Sequence, residues 1–188
     1  MWEIASRGIV LAFLLMAGGR AGGVTLEELR ARPSLTPKQF AANFRNFEFV
    51  FHAEIQNPDV FLSTRSGDCD DYATLAATVL KEKGYTPRLV AIRMPGIVHV
   101  VCYIEEIHSY LDYNQRHRHS PLVKSSDSIA EIARKVAKSF GTPWSSASEF
   151  TFNGEAKVLV ATVLEGKAPL LAAHKHTFAS IQSTPLLQ

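Results

Sequence analysis

The chain has 188 residues, 46% of them hydrophobic, and its 20 Lys and Arg residues against 18 Asp and Glu residues give a net charge of +2. That length and apolar content suit a single domain with its own core. The near-neutral balance excludes the strongly basic character typical of nucleic-acid-binding proteins, so we expect no nucleic acid partner.

The N-terminal segment has the pattern of a secretory signal peptide. Arg7 precedes an apolar run over residues 8–17, and small residues follow up to Ala21. The run is short for a membrane span, and a retained N-terminal anchor is the alternative. We therefore predict a signal peptide over residues 1–21 and a secreted or periplasmic protein with no stable membrane insertion after its removal.

Two capped helices are predicted to open the mature domain. Thr25 and Glu28 have the spacing of a capping box, and Thr36 followed by Pro37 starts a second helix that is expected to run through Phe40 and Phe44. Three aromatic residues at helical spacing follow and are expected in the core: Phe40, Phe44 and Phe47.

The stretch Ser66–Ala73 predicts the start of a longer helix with a thiol in its first turn. Asp68 suits the N-cap and Asp71 the N3 position, which makes Cys69 the first helical residue. An apolar stripe before Gly84 continues the helix: Leu75, Ala76, Val79 and Leu80. The helix dipole favours the thiolate of Cys69, whereas the three neighbouring carboxylates oppose it, so activation requires a positive partner.

Strands are predicted downstream, over residues 88–93, 98–104 and 110–113. His99 opens the second of them, and Asp112 lies in the third. A tight two-residue turn between these strands places His99 directly opposite Asp112, whereas a longer loop shifts the register and makes the pair diagonal. Both arrangements bring the imidazole and the carboxylate together.

Cys69, His99 and Asp112 have the residue types and the chain order of a catalytic triad. In this interpretation Asp112 orients His99, His99 takes the proton of Cys69, and the Cys69 backbone N–H stabilises an oxyanion. His52 and Gln56 can each donate a further bond, but nothing in the sequence places either near Cys69. The alternative is a hydrogen-bonded strand histidine and a carboxylate at a loop edge, without catalysis.

The segment Gly67–Ala73, followed by His99 on a strand and then Leu111–Asp112, resembles the transglutaminase-like superfamily. The similarity is closest to the small bacterial transglutaminase-like cysteine proteinases and extends over residues 61–114. It implies an α+β fold with a papain-like core, in which the helix of the cysteine packs on an antiparallel sheet that carries the histidine and the aspartate.

The same resemblance implies thiol attack on an amide, with Cys69, His99 and Asp112 as the residues that match. Animal transglutaminases have Trp after the cysteine, whereas this chain has Asp70. Hydrolysis is therefore favoured over protein crosslinking, and the expected partner is a protein or peptide substrate.

The second cysteine offers a structural alternative. In an oxidising compartment a Cys69–Cys102 disulfide would remove the nucleophile. Side chains alternate along a strand, so Cys102 points away from the face of His99. We expect Cys102 to be a small buried residue with a free thiol.

The remainder of the chain predicts one helix and one hairpin. Ser128 caps a helix that Gly141 ends, and Asn153-Gly154 joins two strands. The apolar face of the helix is formed by Ile129, Ile132, Ala133, Val136 and Phe140. We assign residues 22–165 to the domain and residues 166–188 to a loosely ordered C-terminal tail.

No cofactor is expected. Asp68, Asp70 and Asp71 could gather Ca²⁺, on which some of the bacterial proteinases depend, but helix capping is the favoured interpretation. No paired-ligand spacing for zinc occurs. The segment Arg116–His119 is expected to be a solvated loop, with binding of an acidic substrate as the alternative.

These patterns together predict an exported cysteine-type peptidase or amidase. A non-catalytic binding module of the cell envelope with the same scaffold is the alternative from another class, and a disulfide-stapled structural protein is a third. No feature of the sequence specifies an oligomeric state.

Overall fold

The computed structural model describes residues 23–166 and 170–171. The predicted signal peptide lies outside the described residues, as does the predicted tail apart from Gly166 and Leu170–Leu171. Five helices occur in the described part: α1 (Leu26–Ala31), α2 (Pro37–Ala42), α3 (Pro58–Thr64), α4 (Cys69–Glu82) and α5 (Ile129–Phe140). None of these helices has the length and apolar character needed to cross a bilayer.

Nine strands accompany the helices in the same residues: β1 (Glu48–Phe49), β2 (Ser66–Gly67), β3 (Pro87–Met94), β4 (Ile97–Ile104), β5 (Ser109–Leu111), β6 (Leu122–Lys124), β7 (Ser146–Asn153), β8 (Ala156–Leu164) and β9 (Leu170–Leu171). Seven form an antiparallel sheet in the order β6-β5-β4-β3-β7-β8-β9, and β1 pairs with β2 in parallel. Helices combined with an antiparallel sheet confirm the predicted α+β class.

The two faces of the sheet are covered by different helices. Along β4, Val100, Cys102 and Ile104 join a core formed with α1 to α4, whereas Val101 and Tyr103 join a second core formed with α5. The alternation follows from the two-residue period of a strand. Near the start of β4, the His99 ring contacts Phe140 of α5.

Local capping signals set the helix ends as predicted. The capping boxes at Thr25 and Thr36 are both closed, and Gly141 ends α5 in a left-handed conformation with φ of 65°. The expectation that α2 continues through Phe44 was wrong. The side-chain amide of Asn43 donates to the carbonyl oxygens of Gln39 and Phe40 and so ends the helix at Ala42.

The register of the β4–β5 hairpin differs from that of a tight turn. Cys102 pairs with Leu111 and Tyr103 with Tyr110, a shift of two residues. The connection is a 3₁₀ turn over Glu105–Ile107 followed by His108 at φ of 45°, which lengthens the loop. The longer-loop alternative is therefore confirmed, and Asp112 lies diagonal to His99.

The β7–β8 hairpin also turns one residue later than predicted. Asn153 pairs with Ala156, so Gly154 and Glu155 form the turn, and Gly154 takes the positive φ of 62°. Beyond it, β9 pairs with β8 within the range assigned to the tail.

An aromatic cluster supports the first turns of α4. The ring centroid of Phe44 lies 4.8 Å from those of Phe40 and Phe47, 5.0 Å from that of Tyr72 and 5.8 Å from that of Phe61. These separations are in the range in which aromatic pairs stabilise beyond their area burial. The cluster therefore anchors the helix that carries Cys69 to α2 and α3.

Replacing the central ring of this cluster tests its role. Phe44→Ala should lower the free energy of unfolding by about 3–5 kcal/mol, because the fully buried ring leaves a cavity that its neighbours cannot fill. The matched control is Phe51→Ala, since the Phe51 side chain is 76% exposed, and we expect a change of at most about 0.5 kcal/mol. Denaturant unfolding measures the free energy of unfolding of both variants. An equal loss in the two variants would contradict the stabilising role of the aromatic cluster.

Candidate active site

The N-terminus of α4 is closed by a reciprocal capping box. Asp68 accepts from the Asp70 N–H at 3.2 Å, and the Asp68 N–H donates to Asp71 Oδ2 at 3.0 Å. The structure confirms the predicted N-cap and N3 positions. As the first helical residue, Cys69 has a backbone N–H that no earlier turn of the helix can engage.

A preceding loop is fastened to the same two carboxylates. The His52 N–H donates to Asp68 Oδ2 at 3.0 Å, and the Gln56 N–H donates to Asp71 Oδ1 at 2.6 Å. The Gln56 side-chain amide donates to Asp71 Oδ2 at 2.7 Å and to the Ser66 carbonyl at 3.1 Å. These bonds hold residues 52–56 against the start of α4.

Gly67 makes this close packing possible. A Cβ at this position would lie 2.5 Å from Asp71 Oδ2, 2.6 Å from the Phe61 ring and 2.7 Å from Gln56 Nε2. Real Cβ atoms do not approach other atoms so closely, so any side chain would push the loop off the helix. The glycine before Asp68 is therefore required by sterics.

His99 and Asp112 form a buried pair. His99 Nε2 lies 2.9 Å from Asp112 Oδ1, and the two side chains are only 5% and 1% exposed. The Asn114 N–H donates to the same Asp112 oxygen at 2.9 Å. The His99 ring also contacts Phe140 at a centroid distance of 4.9 Å, so both its rotation and its position are constrained.

Two opposing influences set the protonation of His99. Burial disfavours the imidazolium, but the hydrogen bond and charge of Asp112 and the nearby Cys69 side chain outweigh it, so the pKa of His99 rises to about 10. Since Asp112 occupies Nε2, Nδ1 is the nitrogen left to face Cys69. This arrangement favours an imidazolium beside the thiol at neutral pH.

Cys69 and His99 both line a cavity of about 580 Å³. Asp112 lies behind His99 and does not line the cavity. The other lining residues include apolar side chains, and four of them are exposed: Phe49, Phe51, Ile97 and Val98. The cavity is therefore a cleft with an apolar entrance.

Asp70 has an unusual charge state for a carboxyl group in the first turn of a helix. Burial and the nearby Asp68 and Asp71 raise the pKa of Asp70 to about 8. Burial also opposes ionisation of Asp68, but a hydrogen bond from Asp70 and backbone N–H groups lower the pKa of Asp68. Asp68 and Asp70 thus carry one negative charge between them at neutral pH, which weakens the opposition of the acidic neighbours to a thiolate.

These acids do not form a suitable calcium site. One oxygen from each of Asp68, Asp70 and Asp71 lies within 4.8 Å of the others. The oxygens of Asp68 and Asp71 already accept N–H groups, including those of His52 and Gln56. A cation would have to displace the capping box, so the residues do not fit Ca²⁺ and we derive no step through it.

The cysteines are both free, which contradicts the disulfide-stapled alternative. Cys102 is fully buried, and its burial raises its pKa above the usual range of a thiol.

The expectation of a solvated loop was wrong for Arg116. Its guanidinium donates to the Phe47 and Tyr113 carbonyl oxygens and lies 4.0 Å from the centre of the Tyr113 ring.

Phe140, Lys157 and Asn114, among other cleft residues, were not predicted from the sequence as part of the site. Phe140 was expected only in the core, yet its ring lies against His99. Lys157 lines the cleft with its ammonium 3.8 Å from the Phe150 ring centre; burial lowers its pKa, and the charge of Asp70 opposes this. Asn114 follows Asp112 by two residues, and that Asx-turn spacing is a local signal that could have identified it.

A family model described as a transglutaminase-like domain matches residues 31–138, more than half of the chain. The matched segment includes Cys69, His99 and Asp112 and ends in α5, before β7. Searches of curated proteins and of solved structures give no match.

The charge state of His99 is open to direct measurement. In the native protein the imidazole should titrate near pH 10, and in Asp112→Asn it should titrate several units lower, because the partner charge is lost and burial remains. Imidazole NMR signals followed against pH give both values. A native midpoint near 6.5 would contradict the buried ion pair.

The same shift has a consequence for stability. The pKa of His99 in the folded protein exceeds its ordinary value of 6.5. The stabilisation that protonated His99 gives to the folded state is therefore complete below pH 6.5 and is lost as the pH rises through about 10.

Proposed function

Because the chain belongs to the transglutaminase-like domain family, we propose that it is an exported cysteine-type peptidase or amidase with Cys69 as nucleophile. The observation that supports this most strongly is the shared cleft of Cys69 and His99, with Asp112 buried behind the imidazole. Export rests on the N-terminal pattern of residues 1–21.

The proposed first step forms a thioester. The Cys69 thiolate attacks the carbonyl carbon of an amide, and the electron pair of the C=O bond moves to oxygen. The Cys69 backbone N–H stabilises that oxyanion. As the intermediate collapses, His99 donates its Nδ1 proton to the nitrogen of the leaving amine, and the C–N bond breaks.

The second step returns the enzyme to its resting state. Neutral His99 takes a proton from water, and the resulting hydroxide attacks the thioester carbon. The C–S bond then breaks, which releases the acid and restores the thiolate beside an imidazolium. Asp112 holds Nε2–H throughout and stabilises the charge of the ring in both steps.

The apolar entrance favours a protein or peptide substrate with apolar side chains next to the scissile bond. Phe51 is 76% exposed and Phe49 is 53% exposed, and both line the cleft. Exposed apolar residues grouped around a reactive thiol are typical of a binding surface. Ile97 and Val98, at the start of β4, extend the apolar entrance beside His99.

The reactivity of the thiol tests the proposed nucleophile. In a Cys102→Ala background, iodoacetamide should alkylate Cys69 about tenfold or more faster at pH 6 in the native site than in His99→Ala or Asp112→Asn, because only the imidazolium maintains the thiolate. His119→Ala removes an exposed histidine and is the matched control. Equal rates in all variants would refute the nucleophile and leave the binding module as the better explanation.

A peptide library tests the proposed substrate class. Fluorogenic peptides with apolar residues within about two positions of the cleaved bond should be preferred, and Phe51→Ser should lower their kcat/KM by about tenfold, the usual effect of losing one apolar contact. The iodoacetamide rate should not change, since Phe51 carries no charge and takes no part in the proposed activation of the thiol. Equal cleavage of polar and apolar peptides would contradict this assignment.

A further inference from the structure

The backbone of His52 is fixed beside the nucleophile. Its N–H donates to Asp68 Oδ2 at 3.0 Å, and Asp68 is the N-cap residue directly before Cys69. The bonds of Gln56 to Asp71 secure the other end of the loop. A side chain at position 52 is therefore held at the helix N-terminus, where an oxyanion on the attacked carbonyl would form.

The imidazole of His52 lines the same cleft as Cys69 and His99. Its Nε2 is buried, and it is the one buried side-chain nitrogen without a hydrogen-bond partner among residues 23–166. A buried polar atom without a partner carries a desolvation penalty. Six side-chain oxygens of the described residues share this condition, but His52 Nε2 is the one such nitrogen and its ring lines the cleft. A donor that engages only a transient oxygen accounts for this one.

Two other side-chain donors near the helix N-terminus, those of Gln56 and Lys157, are already engaged or differently placed. Gln56 Nε2 donates to both the Ser66 carbonyl and Asp71, so its two hydrogens are used. The Lys157 ammonium lies over the Phe150 ring on the side of Asp70. Of the two side-chain donors left open by the sequence, only His52 reaches the cleft.

We propose that His52 Nε2–H donates a hydrogen bond to the oxyanion that forms on attack by Cys69, together with the Cys69 backbone N–H. This inference rests on the proposed nucleophile. Both the Nε2–H tautomer of the neutral ring and the imidazolium donate at this atom. A donor fixed before the reaction stabilises the developing charge without reorganisation.

Two probes of Cys69 separate this role from thiol activation. The thiolate attacks p-nitrophenyl acetate at its carbonyl carbon: the S–C bond forms as the C=O electron pair moves to oxygen, and collapse of that oxyanion expels p-nitrophenolate and leaves an acetyl thioester. Iodoacetamide is attacked at its methylene carbon, where iodide leaves and no oxyanion forms. Only the first reaction depends on an oxyanion donor.

The full-length protein is compared with His52→Ala, His52→Gln and the matched control His119→Ala, and Cys69→Ala gives the background. His52→Ala should slow the release of p-nitrophenolate about tenfold or more, with an unchanged iodoacetamide rate. His52→Gln, whose amide also donates, should recover part of the rate. His119→Ala should behave as the native protein.

Three other results would overturn the inference. An unchanged acylation rate in His52→Ala means that no bond from this side chain acts on the oxyanion. An equal fall of both rates means that His52 positions the thiol instead, and no recovery in His52→Gln excludes donation. A failure of the proposed nucleophile is recognised separately, because iodoacetamide labelling would then not depend on His99.

Discussion

The N-terminus of α4 determines the geometry of the whole site. Asp68 and Asp71 cap each other and also accept the N–H groups of His52 and Gln56, so one pair of carboxylates ends the helix and fixes the loop. Gly67 allows the close approach. This junction fixes the position of Cys69, the orientation of its backbone N–H and the placement of His52. The aromatic cluster around Phe44 supports the junction through its contact with Tyr72 of α4.

Charge is balanced over short distances around the cleft. The imidazolium of His99 is compensated by Asp112, and the buried guanidinium of Arg116 also interacts electrostatically with Asp112. A raised pKa keeps Asp70 protonated at neutral pH, so the helix N-terminus carries fewer anions than its sequence indicates. Together these effects reduce the negative charge around the Cys69 thiol, because the opposing carboxylates are partly neutral and a cation is adjacent.

Features set by local spacing could be predicted from the sequence, whereas features set by distant contacts could not. The capping box needs only residues three apart, and the order of Cys69, His99 and Asp112 indicated a shared site. The hairpin register depended on His108 in a left-handed conformation, which no glycine signalled. The burial of Arg116 depends on a carbonyl acceptor from Phe47, 69 residues earlier in the chain. His52 is held at the cleft by the hydrogen bond of its backbone N–H to Asp68.

The thiolate absorbance near 240 nm tests the central claim most directly, because it requires neither substrate nor labelling. The difference in absorbance between Cys102→Ala and Cys69→Ala/Cys102→Ala gives the thiolate population of Cys69 at each pH. We predict a thiolate signal at pH 6 to 7, where an unassisted thiol is protonated, and its loss when His99→Ala is added. A signal that appears only in the alkaline range and is unaffected by His99→Ala would contradict the ion pair on which the proposed chemistry depends.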